Sequence, residues 1–330
     1  MRAAVVKEFG PILSHKLGSL PDPAPGPGEV LVTIKATAVN FVDSLVVTGK
    51  YQFLPERPFA PGKLPSGVVT ALGADVRDVK VGDRVLAMAE QGGYAERIAL
   101  PASACFKLPD AMSFVDAAAM ALVYDTAWFA LRERARLKPG ESVLVLGATG
   151  GVGLAGIALA KALGAKVLAG VATPEKRALA LSAGADAIVD LSKDNLRDEL
   201  REQVFVNNSG NGVDIVLDPI GGDAFEAALR ALAWRGRLVV IGFAAGRIPS
   251  VKTNYLLLKN IEISGLQISD YRKRAPDLMA QCMDEIFTLF AAGKLKPAPT
   301  VTRPLEDFAQ ALQDVVDRRV AGRIVLVPNP

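Results

Sequence analysis

The chain has 330 residues, half of them apolar, and a formal net charge of only +3. That length exceeds one ordinary core and predicts two domains. Basic and acidic residues are mixed with no polybasic block, so neither nucleic acid nor an anionic membrane surface is expected as a partner.

The chain opens on an apolar run too short for a signal peptide. No apolar stretch long enough to span a membrane is expected further along. The first ~120 residues read as β-rich, with strands expected at 30–36, 67–73 and 83–87. Residues 21–28 hold four prolines and two glycines and read as a surface loop. A helix is expected over 113–121, with Ser113 as N-cap and Asp116 completing a capping box. From about Thr126 strands and helices alternate. Strands are expected at 142–146, 166–171, 187–189, 213–217 and 237–241, with a sixth at 261–264. The first helix between them, 152–163, ends at Gly164. Thr173-Pro174 reads as an N-cap followed by proline at the first helical position. This alternation predicts an α/β fold with a doubly wound parallel sheet. A helix at 276–292, a proline-rich stretch, a helix at 305–318 and a strand at 323–327 close the chain. Cys105 and Cys282 are the only cysteines and His15 the only histidine. They form no disulfide framework and no metal-ligand spacing, so a metal-free, cytoplasmic protein is expected, with His15 at the surface.

The apolar run ending at Leu146 leads directly into Gly147-Ala-Thr-Gly150-Gly151-Val152-Gly153 and then a helix. Glycine lets the backbone turn tightly and approach a pyrophosphate, while the helix start offers unpaired N–H groups. The rival reading is a tight turn with no ligand, but four glycines in seven residues exceed what a turn needs. The second strand ends Val171-Ala-Thr173 without the carboxylate that bonds the ribose of NAD. Thr173, Lys176 and Arg177 instead suit the 2′-phosphate of NADPH. Against this, Lys176 and Arg177 could form a solvated helix face, with Glu175 beside them.

The chain is similar to the zinc-free quinone oxidoreductases of the medium-chain dehydrogenase/reductase superfamily. The resemblance rests on Asn40-Phe-Val-Asp43, Gly82-Asp-Arg-Val85, Gly93-Tyr-Ala-Glu96, Thr126-Ala-Trp-Phe-Ala-Leu131, the glycine turn, Asp218-Pro-Ile-Gly-Gly222, Gly236-Arg-Leu238 and Ile241-Gly-Phe243. It implies a GroES-like β-rich catalytic domain over 1–124, completed by 266–330, around a Rossmann domain at 125–265. The active site would lie in the cleft, and a homodimer would form through the strand near 261–264. Where zinc-dependent relatives place Cys and Gly-His-Glu, this chain has Asn40 and Gly62-Lys63-Leu64, so no zinc is expected. The Lys63-Leu64-Pro65 stretch also departs from the quinone reductases, which usually carry a glutamate at the Leu64 position. The resemblance further places Phe41, Val42, Asp43, Thr126, Ile241, Gly242, Phe243, Ala244, Leu266 and Arg323 against the cofactor. Leu191 stands where some relatives carry a tyrosine.

Transfer of hydride to a quinone or enone leaves charge on a carbonyl oxygen, which needs a donor. Asn40 and Tyr51 are the candidates, with Lys63 and Tyr124 behind them. Asn40 reads equally as a loop cap, Tyr51 as a pocket wall, Lys63 as a solvated lysine and Tyr124 as packing. Three functions follow: an NADPH-dependent quinone reductase, an enone or enoyl-thioester double-bond reductase, and a non-catalytic NADPH-binding protein. Only the second needs a proton placed on carbon, so it depends more on Tyr51.

Overall fold

The computed structural model describes residues 1–328. It divides the chain into two compact units, Val123–Lys296 and Met1–Leu122 joined by the segment from Pro297 onward.

In the first unit β1 (Arg2–Val5) and β2 (Lys16–Ser19) form a small antiparallel ribbon. The long strand β3 (Glu29–Ala38) buries Val30, Val32, Ile34, Ala36 and Ala38, the period-two pattern of a strand with one face on a core. A short helix, α1 (Phe41–Val47), follows it. β4 (Ser66–Leu72), β5 (Arg84–Ala87), β6 (Arg97–Pro101) and β7 (Cys105–Lys107) extend the sheet, with β4 and β6 both paired antiparallel to β3. Helix α2 (Phe114–Trp128) starts as expected, with the Asp116 amide donating to Ser113 Oγ at 3.0 Å. It does not stop at Ala121. It continues into a π-helical turn, Phe129–Arg134. By length and composition this run could cross a membrane, which corrects the expectation that no stretch is long and apolar enough. Most of its apolar stretch, 78%, is buried. A helix apolar on all sides needs such cover.

The second unit alternates β8 (Ser142–Val145), α3 (Gly151–Ala162), β9 (Lys166–Val171), α4 (Arg177–Ser182), β10 (Ala187–Asp190), α5 (Leu196–Asn207), β11 (Val213–Asp218), α6 (Gly222–Ala231), β12 (Leu232–Val240), α7 (Asn254–Lys259) and β13 (Glu262–Gly265). All six strands are parallel, in the order β10-β9-β8-β11-β12-β13. That is the 3-2-1-4-5-6 order of a dinucleotide-binding sheet, with its crevice where the order reverses, between β8 and β11. Leu144, Leu168, Val189, Val216, Leu238 and Phe225 fill the core.

α8 (Ile268–Arg274) and α9 (Pro276–Ala291) also belong to this unit, so the return to the first unit falls at Pro297 rather than at 266. Two polar ties hold them. Arg272 Nε and Nη2 meet the buried Asp125 Oδ2 at 3.0 and 2.6 Å. Glu285 accepts from Trp128 Nε1 at 2.6 Å and pairs with Arg132. The chain then adds β14 (Thr300–Pro304), α10 (Phe308–Val316) and β15 (Arg323–Val327) to the first unit. β15 lies between β14 and β3. β14 is missing from the sequence reading, since it ends in proline, a residue that strands accept only at an edge.

Candidate active site

In the second unit the glycine turn is shaped by backbone contacts. Gly147 adopts φ +58° and Gly150 caps α3. A Cβ on Gly153 would lie 2.3 Å from the Gly147 carbonyl oxygen, so only glycine fits. Gly151 and Val152 open α3, whose first-turn N–H groups have no partner inside the helix. Glycines that clear this space, at the crevice between β8 and β11, fit a dinucleotide pyrophosphate.

The end of β9 differs from its expected form. Residues Pro174–Lys176 form a 3-10 turn, and the exposed Thr173 makes no side-chain capping bond. Lys176 is half-buried. Arg177 donates from Nη2 to Asp190 Oδ2 at 2.7 Å.

Across the crevice, the buried Asp218 at the end of β11 ties two loops together. Its Oδ1 accepts from the Ile220 and Gly221 amides at 3.0 and 2.8 Å, and its backbone carbonyl from the Ile241 amide at 2.8 Å. The Ala244 amide donates to the Pro219 carbonyl at 3.2 Å. The loop carrying Ile241, Gly242, exposed Phe243 and Ala244 is thereby fixed to the Asp218 turn. Asp218 Oδ2 is buried without a hydrogen-bond partner among the described residues. Burial pushes this carboxyl above its usual range. Leu266 is buried, and its amide donates to Val240. Thr126 is buried within α2, its Oγ1 3.2 Å from Asp125 Oδ1.

In the first unit four buried polar residues form one network. The Asn40 backbone amide donates to Asp43 Oδ2 at 3.0 Å, and Tyr94 Oη donates to the same oxygen at 2.8 Å. Asn40 Nδ2 donates to the Ala38 carbonyl at 3.1 Å, and Arg323 Nη2 donates to Asn40 Oδ1 at 2.6 Å. Burial pushes the Asp43 carboxyl up, raises the Tyr94 phenol and lowers the Arg323 guanidinium to about 10. Asn40 therefore braces the start of α1, Asp43 orients backbone, and Arg323 turns inward to Asn40. Phe41 is exposed and Val42 half-buried on the same helix.

Two expectations are corrected here. Lys63 is not solvated. It is buried, and Nζ donates to the Glu90 carbonyl at 2.9 Å and to Glu90 Oε2 at 2.6 Å. It lies 5.5 Å from the centroid of the half-buried Tyr51 ring. A buried ammonium needs such a counter-charge. His15 is not at the surface either. Its ring is buried, with Nε2 3.2 Å from the Val47 carbonyl at the end of α1. Tyr124 packs as expected, its hydroxyl donating to the Lys296 carbonyl at 2.8 Å.

Tyr94, Glu90, Asp190 and Asp218 are absent from the sequence-derived site. Asp218 carried a legible signal, a carboxylate between an apolar strand and Gly-Gly. Glu90 and Asp190 carried none, because Lys63 and Arg177 are 27 and 13 residues away. Among the described residues no group of three or more His, Cys, Asp or Glu side chains could hold a metal ion.

Residues 26–110 match the alcohol dehydrogenase GroES-like domain, and residues 151–285 match the family described as zinc-binding dehydrogenase. Quinone oxidoreductase-like protein 2 of Rattus norvegicus is 38% identical over 98% of this chain and 91% of its own length. The Escherichia coli quinone oxidoreductase, crystallised with NADPH, superimposes with a TM-score of 0.90 at 29% identity, covering 99% of this chain and 100% of its own. The CurK enoyl reductase superimposes at 0.88 with 25% identity and 99% coverage of both chains. The chain belongs to the medium-chain dehydrogenase/reductase superfamily, among its quinone oxidoreductase-like members.

Proposed function

We propose that the chain is an NADPH-dependent oxidoreductase that reduces quinones without zinc. The observation that carries this reading is the glycine turn at the crevice of a 3-2-1-4-5-6 sheet, where Gly153 admits no side chain. The α3 start at 150–153 would hold the pyrophosphate, with Thr173, Lys176 and Arg177 toward the ribose phosphate. The loop 241–244 and Thr126 would hold the other end. NADPH supplies the hydride when bound. The chain must then stabilise the oxygen that becomes negative. Tyr51 offers a phenol, and Lys63 keeps an ammonium in place beside it through Glu90. The zinc-free reading is supported by residue chemistry. Asn40 spends its oxygen on Arg323, and Lys63 brings a positive charge where a metal ligand would need a lone pair.

Steady-state oxidation of NADPH with a small quinone panel and a small enone panel tests the reading. Turnover of the quinones is expected, and Tyr51→Phe should reduce it by less than about tenfold. Turnover of enones alone, with a severe loss in Tyr51→Phe, would favour double-bond reduction. The similarity to CurK supports that second reading. Coenzyme binding without turnover of either panel would leave a non-catalytic NADPH-binding protein.

We further propose a homodimer joined through β13. Among the described residues that strand pairs only with β12, and no strand covers its outer edge. Beside it in sequence, α7 exposes Leu257 and Leu258 at 78% and 73%. Unpaired strand edges next to apolar side chains favour association.

A further inference from the structure

The sequence leaves the end of β9 without a carboxylate, but the fold brings one in from the neighbouring strand. Asp190 closes β10 and stands in register with Val171 of β9. Neighbouring strands lie about 5 Å apart. Asp190 therefore sits one strand-width from the end of β9, the place that reads the ribose 2′ substituent in sheets of this order.

This carboxylate is held rigidly. Its Oδ1 accepts from the Ser192 amide at 2.9 Å and from Ser192 Oγ at 2.6 Å. The Asp190 backbone is clasped by Gln203, N to Oε1 at 2.6 Å and Nε2 to O at 3.1 Å. Its Oδ2 takes the 2.7 Å bond from Arg177 Nη2. Hydrogen bonds from Ser192, aided by the Arg177 charge, hold the carboxyl below its usual range, so it is an anion at neutral pH. Both side chains reach solvent, at 18% for Asp190 and 41% for Arg177. An uncompensated anion at this position repels a 2′-phosphate and accepts a hydrogen bond from a 2′-hydroxyl.

We propose that Asp190 and Arg177 together set coenzyme choice in this chain, with Asp190 the element that favours NADH and Arg177 the cation that cancels it. Paired, they leave the end of β9 open to a 2′-phosphate. With Arg177 removed, Asp190 turns the same surface toward the 2′-hydroxyl. This inference rests on the NADPH reading above and adds to it a repulsive element that the sequence does not show. Specificity built from a suppressed repulsion, as well as an attraction, is a general device.

The test is equilibrium binding of NADPH and NADH, followed by nucleotide fluorescence, to the whole protein and to Arg177→Ala, Arg177→Lys, Asp190→Asn and the double variant Arg177→Ala/Asp190→Asn. Thermal melts of each variant check folding. Arg177→Ala is expected to weaken NADPH by about tenfold or more and to leave NADH unchanged or tighter. The double variant is expected to recover much of the lost NADPH affinity, and Arg177→Lys to keep it. A merely structural tie between α4 and β10 would weaken both coenzymes in proportion, and the double variant would be no better than Arg177→Ala. Either of those results overturns the proposal while leaving the NADPH reading intact. An unaltered protein that prefers NADH overturns both.

Discussion

Single atoms decide the two ends of the crevice. At Gly153 the obstacle to a side chain is a carbonyl of the same turn, and backbone cannot rotate away as a flexible side chain would. Gly153→Ala is therefore expected to displace the turn, weaken NADPH binding by more than about tenfold and lower the melting temperature. Calorimetric titration with NADPH reads the first effect, and unchanged affinity would show that the turn does not hold the coenzyme. At Asp218 one carboxyl oxygen holds two amides and the other is buried without a partner among the described residues. Its carboxyl is raised by burial, so the folded state holds the proton more tightly than the unfolded chain does. Such a group contributes stability below its unfolded value of about 4, and loses it as pH rises through its folded value. Asp218→Asn removes that titration. The stability of the variant relative to the unaltered protein should rise between acidic and neutral pH in paired melts. A difference constant across that range would contradict the assignment.

The elements show which parts of the fold were legible. β8, β9 and β15 follow continuous apolar runs and lie within a residue of their expected bounds, because strands buried on both faces announce themselves locally. The glycine turn was legible for the same reason, since its constraint is backbone on backbone within seven residues. α8 was missed because it is short and carries Arg272, Lys273 and Arg274. Its place is fixed by a partner 147 residues away, Asp125 on α2, which no local pattern reveals. The same distance effect hid the burial of Lys63 and His15. The α8–α2 tie is also an energetic prediction. Removing one side of a buried ion pair leaves the other charge uncompensated, at a cost of about 3–5 kcal/mol. Arg272→Ala should lower unfolding free energy by that amount in denaturant melts. A loss under about 1 kcal/mol would mean that water reaches Asp125 and screens it.

For the whole molecule, the two units contribute different chemistry. The second supplies the dinucleotide sheet, and the first supplies buried polar side chains braced by a strand from the far end of the sequence, through Arg323 and Asn40. Leu257→Glu combined with Leu258→Glu should convert a dimer into a monomer in light scattering, since both side chains are mostly exposed in the single chain and the change costs its fold little. A dimer that survives the pair would place the interface elsewhere. Quinone reduction by NADPH without a metal is tested most directly by one single-turnover experiment. Protein treated with a strong chelator is loaded with NADPH and mixed with a benzoquinone, and the nicotinamide absorbance is followed. Loss of one NADPH for each quinol formed, at a rate unchanged by the chelator, is the expected result. Persistence of NADPH, or a reaction that only added zinc restores, would contradict it.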